Sequence, residues 1–340
     1  MPIFGDTANH TDLEENRHAI VVRQRNCKLT GARMKALVLA ILIGLISSSA
    51  FAQTPAVLLT TPTGHEVTVH IGGYDYVEPG DLKISIHGAK VGGGYTGAWA
   101  PSRQWFVKAD THGSAGRATY DGWCAPYLIT PDSTSPNGYS LDIGDYSPCS
   151  ESGDRDWYLE GRTLFGKDFV GRKWGVSPET GLGVRHLSNG VEGIPGFRTD
   201  DYLYIPFGLT ARTGLTAHSS LSVNVEYDQL LHGWQNTHES QLGGGNVSAT
   251  GTTPAFTIVA FSDLGFAQHQ GWALRAGAKY QVNRRWSIEP SYVYWHVTDS
   301  PVSAGTVTFT VNGVTVEQQF GAREPENYTD EFVVKLGWHF

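Results

Sequence analysis

The last nine residues of the chain alternate. Phe332, Val334, Leu336, Trp338 and Phe340 share one face of an extended segment, and Val333, Lys335, Gly337 and His339 share the other. Strand side chains point to opposite sides with period two, so one face is apolar and the other mostly polar. The pattern recurs upstream. Trp272, Leu274, Ala276, Ala278 and Tyr280 interleave with Arg275, Lys279 and Gln281, and Leu221, Val223, Val225 and Tyr227 interleave with Asn224, Glu226 and Asp228. Such segments, flanked by Gly, Pro, Asn or Asp, predict ten strands near 66–77, 83–99, 104–119, 156–166, 174–188, 201–213, 220–232, 270–282, 285–298 and 328–340.

The connections carry as much information as the strands. Those after the second, fourth, sixth and eighth strands are short (100–103, 167–173, 214–219 and 283–284), whereas 120–155, 233–269 and 299–327 are long. Tight turns at one end and long loops at the other are the rhythm of an outer-membrane β-barrel, whose even strand number returns both termini to the turn end. A soluble sandwich imposes no such parity. The closing segment with its terminal aromatic also resembles the last strand of such barrels. The expected fold is all-β: a single closed antiparallel transmembrane barrel of about ten strands covering residues 53–340.

The front of the chain agrees with export. Met34-Lys35 precedes an apolar run from Ala36 to Ile46 and the site Ala50-Phe51-Ala52, which reads as a signal peptide over 34–52 cleaved before Gln53. The run is too short to span a bilayer as a helix. Residues 1–33 are polar and are expected to be a mis-set start or a leader, with Met34 the initiator. Six of the 25 basic and four of the 33 acidic residues lie in 1–52, so 19 and 29 remain, a formal charge of −10. That excess argues against nucleic acid, whose phosphates need a basic surface. The expected location is the outer membrane, with the long loops outside the cell.

Charge changes the picture of the lumen. On the faces opposite the apolar ones lie Lys108, Asp110, Glu160, Arg162, Glu179, Arg185, Glu289, Glu331 and Lys335, near balance in sign. Confined charges pair, because an unpaired one is costly away from water. A ten-stranded lumen is therefore expected to be plugged by salt bridges, which argues against a general porin. Cys27 precedes the signal, while Cys124 and Cys149 bracket one polar loop and are expected to form a disulfide in an oxidising compartment.

Candidate chemistry is sparse. The chain has no phosphate-binding Gly-Lys-Ser/Thr loop, no His-Glu-x-x-His pair and no Gly-x-Ser-x-Gly elbow, and no cofactor or metal is expected. One arrangement stands out. Asp154-Arg155-Asp156-Trp157 opens the predicted fourth strand, and Gly233-Trp234-Gln235-Asn236-Thr237-His238-Glu239 follows the seventh. Here the sequence resembles the omptins, ten-stranded outer-membrane proteases whose site pairs an Asp-x-Asp-Trp segment with an Asp-x-His segment. Asp154 and Asp156 match the acidic pair, His238 matches the histidine, and Asn236 stands where the family has the histidine's Asp partner. The resemblance implies water activated between an Asp and the His. An amide at 236 holds geometry without charge. Glu239, as the neighbour of His238, is expected to face the other way.

Other segments are similar to uncharacterised proteobacterial outer-membrane barrel proteins of omptin-like shape: Tyr74-Asp75-Tyr76-Val77-Glu78-Pro79, Glu226-Tyr227-Asp228, Ile288-Glu289-Pro290 and Glu324-Pro325-Glu326-Asn327. Pro290, inside a strand, is expected to mark a bulge or register device. The leading functional expectation is a surface protein presenting its loops to ligands, with membrane lipid and lipopolysaccharide, peptides or host surfaces as partners. The alternative is an omptin-like aspartyl endopeptidase at the rim.

Overall fold

A strand that crosses a bilayer must bond all of its N–H and C=O groups to protein, because lipid offers no partner. The computed structural model, which describes residues 59–80, 84–135, 138–190, 198–249 and 254–340, meets that demand by closure. Residues 1–33, expected to be a mis-set start or leader, and 34–52, expected to be a signal peptide, lie outside the described residues. In chain order the strands are β1 (Gly64–Glu78), β2 (Ile84–Trp99), β3 (Trp105–Cys124), β4 (Tyr127–Pro131), β5 (Tyr139–Ile143) and β6 (Ser147–Lys167). Next come β7 (Phe169–Val170), β8 (Trp174–Gly190), β9 (Arg198–Gly214), β10 (Ser220–Thr237), β11 (Gly245–Val247) and β12 (Phe256–Phe261). The chain ends with β13 (Gly265–Gln268), β14 (Gly271–Gln281), β15 (Trp286–Val297), β16 (Ser303–Val311), β17 (Val314–Ala322) and β18 (Asn327–His339).

Ten of these form the wall, in the order β1-β2-β3-β6-β8-β9-β10-β14-β15-β18, each antiparallel to its neighbours. The ring closes where β18 pairs with β1, from Glu66↔His339 to Val77↔Tyr328. This is the ten-stranded outer-membrane barrel that the alternation predicts, and its ten wall strands match the predicted ones. Pro290 differs from expectation. It sits opposite Val334 with no register shift, so it marks no bulge.

Burial is inverted relative to a soluble protein. Val69, Ile71, Val91, Leu159, Leu182, Val184, Leu209, Val334 and Leu336 are exposed on the outside. At the short-turn end they are bordered by Trp99, Trp105, Phe165, Trp174, Trp286 and Trp338, and toward the other end by Trp157 and Trp234. An apolar belt between aromatic girdles matches a bilayer.

The charges are inside. Arg275 lies 2.6 Å from Asp228 and 2.8 Å from Glu160, and Arg162 bonds Glu226 at 2.5 Å and Asp110 at 3.3 Å. Nearer the short turns, Lys279 meets Glu66 at 2.5 Å, Lys108 meets Glu179 at 2.8 Å and Lys335 meets Glu289 at 3.1 Å. Tyr204, fully buried, donates to Glu160 at 2.5 Å. These side chains fill the lumen.

Above the wall, the segments expected to be loops are folded. β11, β12, β16 and β17 form a four-stranded sheet, and β4 with β5 forms a hairpin against it. Ile129 and Leu141 of the hairpin share a buried core with Phe256, Ile258, Phe261, Val307, Phe309, Val311, Val316 and Phe320. The Leu141 N–H donates to Gln318 Oε1 at 2.7 Å and Gln318 Nε2 donates to the Leu141 carbonyl at 3.0 Å. Asn312 and Gly313, both at positive φ (50° and 78°), make the tight β16–β17 turn. β3 and β6 also run beyond their expected ends, to Cys124 and from Ser147, and stay paired as far as Cys124↔Ser147. Cys124 and Cys149 are disulfide-bonded across this extension, with Cα atoms 5.8 Å apart.

Two outcomes follow. Arg275→Met leaves Glu160 and Asp228 without their closest cation, and should destabilise the barrel by about 3–5 kcal/mol, the usual scale for breaking a buried pair. Urea unfolding in lipid vesicles checks this, and an unchanged midpoint would refute the plug as a structural element. Cys124→Ser should leave the heat-modifiable gel mobility of the barrel intact. It should weaken the β3–β6 extension by about 3 kcal/mol on the loop-entropy model, read as faster proteolysis between 120 and 150.

Candidate functional site

At the end away from the short turns, the inward side chains of the wall converge under the sheet cap. β1 supplies Tyr74, Tyr76 and Glu78, β6 supplies Asp154 and Asp156, and β9 supplies Arg198, Asp200 and Tyr202. Trp295 of β15 and Thr329 and Glu331 of β18 complete the ring. A small cavity among them is lined by Tyr74, Tyr76, Arg185, Asp200, Tyr202 and Trp295, with Leu187, Asn189, Val297, Asn327 and Thr329. Tyr202 stacks on Trp295 with centroids 5.7 Å apart, and Arg185 lies over the rings of Tyr158 and Trp295.

The predicted site residues are only partly gathered here. Asp154 and Asp156 face inward and are buried. They keep that face because the extra residue of the β3–β6 ladder, Gly153 at φ +101°, is inserted just beyond Asp154. Asp156 does not stand free to polarise water. Its Oδ1 lies 2.5 Å from the buried Lys90 Nζ, which in turn sits 3.5 Å from the centre of the Tyr74 ring.

The second half of the predicted site is displaced. β10 carries a bulge between Leu230 and His232. Before it, Glu226, Asp228 and Leu230 point inward, and after it Gly233, Gln235 and Thr237 do. One inserted residue moves every later side chain to the opposite face. Asn236 is therefore exposed on the outside beside Trp234, which corrects the expectation that it faces the site. His238 is half-buried and begins a 3-10 turn, Glu239–Leu242. Glu239, expected to point away, is the buried one. Registers link Asp156↔Asn189, Asn189↔Arg198 and Arg198↔Thr237. Asp156 and the strand end before His238 are thus three strand spacings apart around the wall, roughly 14 Å at about 4.8 Å each.

What the mouth does gather is a set of carboxylates outside the predicted site. Glu78 and Glu324 both approach Tyr76 and Arg198, and Asp200 and Gln235 stand beside them. Burial, reinforced by the charge of Glu324, pushes the Glu78 and Asp200 carboxyls well above the ordinary range. Burial also raises Glu324 and Glu239, against the opposing pull of Arg198. Glu78 ends β1, and Glu324 lies between β17 and β18. Among the described residues, no group of His, Cys, Asp and Glu is arranged to hold a metal ion.

No family model and no curated protein matches the chain. Among solved structures, it is similar to the outer membrane protease OmpT of Escherichia coli at 12% identity, covering 82% of this chain and 98% of that one with a TM-score of 0.42. The translocator domain of autotransporter NalP from Neisseria meningitidis aligns at 10% identity over 91% of this chain and 96% of its own, TM-score 0.33. Ail, the attachment invasion locus protein of Yersinia pestis, aligns at 12% identity over 82% and 100%, TM-score 0.24. The barrel assignment rests on the closed ladder itself.

The bulge in β10 can be checked directly. A cysteine at Asn236 should react with a charged, membrane-impermeant maleimide, and one at Gln235 should stay protected until the protein unfolds. The reverse pattern would show that the alternation runs unbroken through Leu230.

Proposed function

We propose that this integral outer-membrane protein displays its β cap at the cell surface as a binding module, above a lumen closed by ion pairs. The observation that carries the reading is the shared core of the three long connections. Segments that merely solubilise a rim have no reason to bury Phe256, Phe309 and Val311 together on one sheet. A preformed surface gives up less ordering entropy on binding than three independent loops would. The charged lumen supports the same reading against a solute channel, since Glu160, Asp228 and Arg275 are buried and ion-paired with one another at mid-height. Lipopolysaccharide and outer-leaflet lipid are the surroundings of the belt in this reading. Peptides or host-surface polymers are the ligands of the cap.

The endopeptidase alternative retains Asp154 and Asp156 at the mouth. The Lys90 ion pair and the outward Asn236 weigh against it, because the first engages Asp156 and the second turns residue 236 away from the mouth.

Purified protein in lipid nanodiscs, screened on arrays of glycans, peptides and matrix proteins, tests the binding module. Replacing residues 303–322 by a short Asn-Gly turn should abolish the signals while the barrel keeps its heat-modifiable mobility. Equal signals from both proteins, or none from the wild type, would end this reading. Peptide cleavage that vanishes in Asp156→Ala would favour the endopeptidase.

A further inference from the structure

Both legs of the β16–β17 hairpin cross the barrel mouth at one point. The Ser300 N–H donates to the Glu324 carbonyl at 2.9 Å, and the Glu324 N–H donates to Ser300 Oγ at 2.9 Å. From this neck the Glu324 side chain reaches the wall, where it meets Glu78 at the end of β1. The two carboxylates converge on the same donors. The Tyr76 hydroxyl lies 2.9 Å from Glu78 Oε1 and 3.2 Å from Glu324 Oε1. Arg198 Nη1 lies 3.1 Å from Glu78 and 3.3 Å from Glu324.

A phenol carries one proton and can donate it to one carboxylate only. The second approach then sets oxygen against oxygen unless another proton is present. Glu78 and Glu324 are 3% and 2% exposed, so water does not relieve the contact. Paired carboxyls at such range do not both ionise readily.

We propose that Glu78 and Glu324 share one proton, and that this proton is the latch fastening the neck of the cap to the barrel wall. With it, the two side chains, Tyr76 and Arg198 form a closed hydrogen-bonded set. Without it, carboxylates outnumber the one guanidinium among them, and the neck is pushed from the wall. Titratable and charged groups face the latch from several elements. Tyr76 lies on β1, Tyr120 on β3, and Arg198, Asp200 and Tyr202 on β9. Gln235 lies on β10, and Glu239, which senses Arg198, follows it. Of these only Arg198 is a cation; Arg185 of β8 lines the same cavity as Tyr76 and Asp200, with Glu160 at 3.9 Å and Glu331 at 4.0 Å. Lys90 nearby is engaged by Asp156.

The direction of the pH effect follows. Both carboxyls sit above their ordinary range when the cap is docked, so the docked form binds more protons than the released one. Docking is strongest at and below the ordinary carboxylate range, and weakens as pH rises through the raised values. The latch depends on the fold of the cap and not on what the cap binds.

Hydrogen exchange of the segment 299–327, corrected for intrinsic rates, tests this on the full chain in nanodiscs between pH 6 and pH 9. Wild-type protection should fall, by up to about tenfold per pH unit where one proton leaves. Glu324→Gln supplies the missing donor without the charge, and should be at least about tenfold better protected than wild type at pH 9. Glu78→Gln is the second variant, and should behave alike if Glu324→Gln fails to fold. A flat wild-type profile, or the wild-type slope retained in the folded variants, would overturn the shared proton.

Discussion

Backbone amides that leave water must find partners within the protein, and the rest of this molecule depends on that constraint. The pairing of β18 with β1 removes the last free edge and turns a curved sheet into a ring. A closed ring of ten strands has an inside too narrow for open water and too polar to leave empty. Arg162 and Arg275 with Glu160, Glu226 and Asp228 are the consequence: charges that repay their desolvation only by meeting one another. Closure also sets the parity that collects every long connection at one end.

That collection allows a second fold to form on the first. The cap buries its apolar residues as a soluble β domain does, while the wall below turns its apolar residues outward. The two regimes meet at the mouth. Here the wall is no longer beside lipid, yet the cap keeps water away. Carboxylates held there have neither bulk solvent nor a full complement of cations. The cluster of Glu78, Asp200 and Glu324 around Arg198 is shaped by that intermediate setting. The Asp156–Lys90 pair answers the same problem with one cation for one acid.

The proposed site was less legible than the fold. Asp154 and Asp156 were read from a short motif and do point into the mouth. Asn236 could not be placed from the pattern. Counting by twos from Glu226 and Asp228 puts residue 236 inside, and only the pairing of Leu230 and His232 with adjacent residues of β9 reveals the inserted position. Lys90 was unreadable as a partner of Asp156, because the two lie on strands separated by β3 and meet over Gly116, which is paired with both. The cap does carry a local signal: Thr306 to Val311 alternates polar and apolar as clearly as any wall strand.

Sequence alone determined the properties that repeat along the chain. Period-two alternation, turn residues and the rhythm of short and long connections are local, so they announced ten strands, their faces and the closed barrel, while the even pair of exported cysteines announced Cys124–Cys149. Only the tertiary structure decided what depends on distant strands meeting. It turned Asn236 outward and Glu239 inward, gave Asp156 to Lys90, joined three connections into one cap, and set Glu78 against Glu324. Alternation says which face a side chain takes. It does not say which side chain waits across the lumen, because that partner is fixed by the register and closure of the whole ring.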